Sequence, residues 1–228
     1  MFKYLAILLF LCLLSCKSAN HRSLDITEQS QSSIPIEKKD SVKEVKRISQ
    51  LTAEEIQELA DGSRIGPMTI YNTKDALEVT SEGELTNSLL GEDYSISGLQ
   101  QHYNQVFNDN RQEIKDEESG EIQIINKLFF KESFVKVYYN PIKKQDDIVS
   151  GKIVNKELFM VKNIQLGISK KDFFDKIFKD ASTFDFSTID IFRNSDLMGD
   201  ILQEFIFKAD TLNQVILTSN YDWIPFEL

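Results

Sequence analysis

The chain of 228 residues carries 36 acidic against 26 basic side chains, a formal charge of −10 that disfavours phosphate backbones and anionic headgroups as partners. Both cysteines, Cys12 and Cys16, lie in the first sixteen residues, which leaves the remainder without a thiol for a disulfide, a thiolate-bound metal or a nucleophile. Hydrophobic residues make up 41% of the chain and 178 residues follow position 50, enough for one substantial core or two small ones.

Behind Lys3, the run from Tyr4 to Leu14 is apolar but shorter than the roughly 20 residues that cross a bilayer, and it reads as the h-region of a signal peptide. It ends in Leu13-Leu14-Ser15-Cys16, which resembles the lipobox of bacterial envelope lipoproteins. The resemblance implies cleavage before Cys16, a diacylglyceryl thioether on its sulfur and a further acyl group, typically palmitate, on the new amino terminus. Several acyl chains on one residue hold a protein far more firmly than one, at roughly 0.8 kcal/mol per buried methylene. Lys17, in a position where Asp favours retention in the inner membrane, implies an outer-membrane address.

Residues 1–15 are therefore expected to be the signal, 16–50 the lipidated cysteine with a flexible tether, and 51–228 the globular part, as one domain or as two meeting near 141–151. From Lys17 to about Pro35 the chain is rich in Ser, Gln, Asn and Thr, too polar to offset the entropy of ordering. As a coil, residues 17–50 span roughly 30 to 35 Å. They carry seven basic and five acidic side chains, whereas positions beyond 50 carry 18 basic and 31 acidic, a formal charge of −13. The folded part is acidic.

Two S/T-x-x-E capping boxes open the structured region, Ser41 with Glu44 and Thr52 with Glu55. The second predicts a helix over 53–61, with Leu51 stapled to Ile56 and Gly62 as a left-handed stop. Met68 to Tyr71 reads as a short strand, and Asn72 or Thr73 as the cap of a helical turn through Ala76 and Leu77. Ser97 with Gln100 and the spacing of Leu99, Tyr103, Val106 and Phe107 predict a helix over 98–107, ended by Asn108-Asp109-Asn110. Residues 121–127 and 129–139, rich in Ile, Phe, Val and Tyr, read as strands. Polar turns over 115–120 and 140–151 flank them, and an apolar run from Leu158 to Val161 follows, so an antiparallel meander is expected.

In the last third, Ser169 caps a helix with Asp172 at the third position, Ile168 staples to Phe173, and Phe173, Phe174, Ile177 and Phe178 form one apolar stripe. Residues 202–208 and 214–219 then read as two strands around a loop at 209–213. The fold class expected is α+β, with short helices packed on an antiparallel sheet. The run from Ile164 to Phe174 and the hairpin Phe205 to Leu217 resemble the BamE-type outer-membrane assembly lipoproteins and the related β-lactamase-inhibitor-like domains. That likeness covers 164–220 and implies an α+β, non-catalytic module; the chain departs from it in its length and in a Phe-rich insertion around Phe184 to Phe192.

Catalytic equipment is sparse. His102 is the one histidine beyond the tether, and its spacing from Leu99 and Val106 places it at the edge of an apolar helix face. No Gly-x-Ser-x-Gly elbow or phosphate-cradling glycine cluster occurs, and the acidic pairs lack calcium-loop spacing. No catalytic residue, metal or cofactor is expected. The function expected is protein–protein contact at the envelope, as scaffold, assembly factor or inhibitor-like module, with membrane attachment through Cys16 and no nucleic-acid partner. A hydrolase using paired carboxylates and a carrier of an apolar ligand stand as alternatives. Most aromatics sit where a helix or sheet must bury a face. Tyr221, Trp223 and Phe226 are the candidates for partner contact, because Pro225 bars a central strand and Trp is favoured at interfaces.

Overall fold

The computed structural model describes residues 45–72, 76–91, 95–103, 107–115, 120–141 and 144–221. The chain enters through a two-residue strand, β1 (Lys46–Arg47), and helix α1 (Ala53–Asp61) follows. Thr52 accepts from Glu55 N while the Glu55 side chain accepts from Thr52 N, so the expected capping box is formed. Gly62 ends the helix with φ −80° rather than in the left-handed region. Strands β2 (Met68–Asn72) and β3 (Ala76–Ser81) pair as a hairpin, so Ala76 and Leu77 open a strand and not a helical turn.

Helices α2 (Glu84–Asn87) and α3 (Ile96–Tyr103) come next; α3 starts two residues before the predicted position and is capped by Ser95, whose Oγ accepts from Gly98 N at 3.0 Å. Strands β4 (Asn108–Lys115), β5 (Ile122–Phe130), β6 (Ser133–Asn140) and β7 (Gln145–Ile153) then form the expected antiparallel meander, with two more strands than the sequence reading contained. Leu158–Val161 is not a strand: Met160 bridges to Ile164 around a 3-10 turn. Helix α4 (Lys170–Ile177) carries the Ser169 cap, accepting from Asp172 N, and precedes β8 (Phe184–Asp185), β9 (Ile191–Ser195), β10 (Ile201–Lys208) and β11 (Thr211–Ser219).

Nine of these strands build one sheet in the order β2-β3-β9-β10-β11-β7-β6-β5-β4. The α+β, antiparallel expectation needs correction here. The fold is mostly sheet with a few short helices, and the sheet is mixed because β3 runs parallel to β9, with Leu77 opposite Phe192. Segment 141–151 does not interrupt it, since β7 pairs with β6 on one side and β11 on the other.

One face holds the core. Leu77 and Val79 from β3, Phe192 from β9, Phe205 and Phe207 from β10, and Val215 and Leu217 from β11 point toward Leu59, Leu99, Phe173 and Phe174 of the helices, all buried in one cluster. The Phe173 ring lies 5.1 to 5.3 Å from those of Phe174, Phe192, Phe205 and Phe207, so the aromatics of the last third fill one another's space. A polar knot sits beneath α2. Asn194 accepts from Ser81 Oγ at 2.6 Å and donates to Thr86 Oγ1 at 2.9 Å and Gln203 Oε1 at 3.2 Å, with all four side chains buried. On the opposite face Arg193 links three adjacent strands, donating to Glu78 at 2.6 Å and Glu204 at 2.8 Å.

Candidate functional site

Strand register divides the molecule into two ends. At one end lies the β10–β11 turn, where Ala209 and Asp210 adopt φ 48° and 61°. Such a pair of left-handed residues closes a tight hairpin of matching twist. Asp210 O accepts from Lys170 N at 2.7 Å, which docks the turn on the start of α4. The Lys170 side chain is buried there, donating to Ser187 O at 3.0 Å with Asp190 and Asp210 carboxylates at 3.6 and 3.5 Å. The ammonium is thus paired and hydrogen-bonded, as a buried charge must be.

Val45, the first described residue, lines a hollow of about 390 Å³ at this same end, together with Ser169, Asp210, Phe184 and Phe186. A second hollow of about 400 Å³, bounded by Lys46, Glu55 and Leu59, lies on the other side of Phe184. The entering strand β1 runs between them, parallel to β8 with Lys46 opposite Phe184, and is pinned by the ion pairs Lys46–Glu55 and Arg47–Asp185. The hydrogen bond from Lys46 and that from Thr52 N hold the Glu55 carboxyl below its ordinary range, and the bonds from Ser187 do the same for Asp185. These are ionised carboxylates with built-in donors, the opposite of the protonated acid that a glycosidase-type pair requires.

Of the residues that the sequence assigned to partner contact, Tyr221 is described, and it lies toward the other end. Tyr221 lies just beyond β11 and is half-buried; its hydroxyl donates to Asp147 Oδ2 at 2.7 Å, and Asn140 Nδ2 donates to the same oxygen at 2.9 Å. Its ring meets that of Tyr138 edge-on at 5.6 Å, and both join Ile114, Ile125 and Val149 in a small apolar cluster on the face of the sheet away from the main core. Burial first, then the hydrogen bond to Asp147, pushes the Tyr221 phenol up to about 12. Trp223 and Phe226 lie outside the described residues.

The β9–β10 hairpin projects Leu197 and Met198, 59% and 82% exposed. The sequence reading missed this pair; its signal was two apolar residues between Asp196 and Gly199-Asp200, where a polar turn is the norm. The tip is tied down. Gly199 N donates to Asp196 O at 3.2 Å, Ile201 N to Asp196 Oδ1 at 3.2 Å, and Asn220 N to Asp200 O at 3.0 Å, which connects the loop to Tyr221. Tyr139 and Ile122, at the close of β6 and the opening of β5, are also exposed, and strand alternation directs them to the sheet face opposite Tyr138 and Ile125.

His102 lies exposed on α3, its ring edge-on to that of Tyr103 at 4.7 Å. Among the described residues no group of three or more His, Cys, Asp or Glu side chains could hold a metal ion, and no helix is long and apolar enough to cross a membrane. Cys16 and the Ser41–Glu44 box lie outside the described residues. Compared with family models, with curated proteins and with solved structures, the chain matches none of them.

Proposed function

We propose that this chain is a lipoprotein of the bacterial cell envelope, held at the outer membrane through acyl chains on Cys16 and acting by protein contact, as a scaffold, assembly factor or inhibitor-like module. The observation that carries the contact reading is the tied-down hairpin tip that presents Leu197 and Met198 to solvent. An apolar pair held outward by backbone hydrogen bonds gains nothing for the fold and favours association. Anchoring rests on the lipobox Leu13-Leu14-Ser15-Cys16. The likeness of 164–220 to BamE-type domains supports a non-catalytic α+β role, and α4 packed on β10 and β11 supplies its helix-on-hairpin unit.

Anchoring is tested by metabolic labelling with palmitate and by fractionation. The wild-type chain takes up label and sediments with membranes, and Cys16→Ala loses both properties. Retention of Cys16→Ala at the membrane, with mobility unchanged by globomycin in the wild type, would refute the lipid anchor. Contact is tested by crosslinking in intact cells, which should return one reproducible envelope protein.

A further inference from the structure

We propose that β4 is a self-pairing edge through which two copies of this chain join their sheets, antiparallel and centred on Gln112; this goes beyond the contact reading above and uses a different part of the molecule. The first observation is an open edge. Strand β4 (Asn108–Lys115) ends the sheet order, and among the described residues it pairs with β5 alone. Six of its eight residues are exposed and the other two half-buried, so the strand stands open along roughly 24 Å. Such an edge offers its outward N–H and C=O groups to any strand that adds to it.

The second observation is the order of charge along that edge. Asp109, Arg111, Glu113 and Lys115 alternate in sign at every second position, which puts all four side chains on one face of the sheet. About Gln112 the pattern inverts, Arg111 answering Glu113 and Asp109 answering Lys115. A second copy laid antiparallel, with Gln112 opposite Gln112, therefore meets an opposite charge at every charged position. Directly opposed side chains of an antiparallel pair have Cβ atoms about 4.5 to 5.5 Å apart, close enough for opposite charges to stabilise the pair and like charges to destabilise it.

The third is that the competing registers are penalised. Setting Arg111 opposite Arg111 brings Asp109 onto Glu113, and setting Glu113 opposite Glu113 brings Arg111 onto Lys115. A slip of one residue turns the charged row against Asn110, Gln112 and Ile114, and parallel pairing in step sets like on like. Charges that only blunt an edge do so best with one sign, whereas β4 carries two of each. Arg111 and Glu113 already lie 3.6 Å apart within the strand, 57% and 61% exposed; that pair is kept and becomes one side of a four-charge square. The opposite sheet edge, β2, has five residues and no charge, so nothing in it selects a register. Because both copies use the same edge, the contact closes at a dimer.

The test uses the full-length chain in intact cells, carrying Gln112→Cys or Asn110→Cys and oxidised with copper phenanthroline, with the unaltered chain as the control for Cys12 and Cys16. Opposed residues have Cα atoms about 4.5 to 5.5 Å apart, within disulfide reach, whereas two copies of position 110 stand four residues out of step, roughly 14 Å, and are beyond it. The proposal expects a disulfide species of twice the chain's mass from position 112, about tenfold or more above that from 110. With Gln112→Cys present, Arg111→Glu and Glu113→Arg should each lower that species about tenfold when expressed alone, since each sets like charges face to face. Co-expressed with tags of different length, the two should recover the mixed dimer to within about twofold of the parent, because each supplies the sign that the other lacks; a folding defect in either would not be cured in this way. No dimer from 112, equal yields from 110 and 112, or a disulfide to another protein in place of a second copy would overturn self-pairing at this register. Single variants that dimerise like the parent, or that fail to recover together, would overturn its charge code. Each of these failures leaves the contact reading standing, because the Leu197–Met198 tip takes no part in the pairing.

Discussion

Phe173→Ala is the perturbation that most directly tests how this sheet is held. Phe173 is fully buried on α4, and its ring touches four others contributed by α4, β9 and β10. Truncating a buried Phe costs about 3 to 5 kcal/mol, with the higher end applying where the surroundings cannot collapse into the space. Here the neighbours are fixed on three separate elements, so a loss of about 4 to 5 kcal/mol is expected, a large part of the 5 to 15 kcal/mol typical of a domain. At about 2 to 4 °C per kcal/mol for a domain of this size, the melting temperature should fall by roughly 8 to 20 °C. Urea titration followed by circular dichroism should show a lower midpoint at unchanged slope. Phe159, nearly half exposed, is the control, and Phe159→Ala should stay within about 0.5 kcal/mol of the parent. If Phe173→Ala cost less than about 2 kcal/mol, or no more than the control, the ring cluster would not be the core described above.

Three further outcomes follow from other parts of the fold. Ala209 occupies the left-handed region at φ 48°, so Ala209→Asn should relieve strain and stabilise by about 0.5 to 1 kcal/mol in the same urea assay, and a destabilisation would show that the turn is not of this type. Asn194→Ala strips partners from Ser81, Thr86 and Gln203 in a buried site, which should cost about 2 to 4 kcal/mol; a change below 1 kcal/mol would mean that water or another arrangement satisfies the knot. Tyr221 has a folded pKa of about 12 against an ordinary 10, so its stabilising contribution is complete below pH 10 and fades as pH rises through 12. Two units correspond to about 2.7 kcal/mol, reduced by partial solvent screening to about 1 to 2. Wild type should therefore lose about that much more stability than Tyr221→Phe over this interval, and parallel pH profiles for the two proteins would contradict the burial of the phenol beside Asp147.

The elements that a local reading captured are those whose signals are themselves local. Thr52 with Glu55 and Ser169 with Asp172 bond across three residues, and the alternation of Phe205 and Phe207 with Ile206 declares a strand with one face inward. The missed strands carry the contrary pattern. In β9 the inward positions are Phe192 and Asn194, and Asn194 is wholly buried because Ser81, Thr86 and Gln203 wait for it on other elements; nothing within Ile191–Ser195 announces those partners. In β7, Gly151 reads as a turn residue, yet a Cβ there would come within 3.0 Å of Phe134 O and 3.1 Å of Leu217, so the glycine serves close strand approach. Strand β4 forms one edge of the sheet and has no fully buried residue, so hydrophobic period is silent about it.

The parallel pair β3–β9 explains why the architecture was the least legible feature. Ala76 meets Ile191 across more than a hundred residues of chain, so the β2–β3 hairpin has its inner neighbour only once the last third of the molecule is in place. Such pairing is specified by complementarity between distant faces, Leu77 against Phe192 and Ser81 near Asn194, and no window along the chain contains both sides. The same logic governs the candidate site. Tyr221 was visible as an aromatic near a proline, but its neighbours Tyr138, Asp147, Ile125 and Ile114 come from β6, β7, β5 and β4, distant strands brought beside β11 by the sheet order. Leu197 and Met198 stand out only once the β9–β10 turn is seen to hold them at the surface, 59% and 82% exposed, a property of the hairpin rather than of residue type.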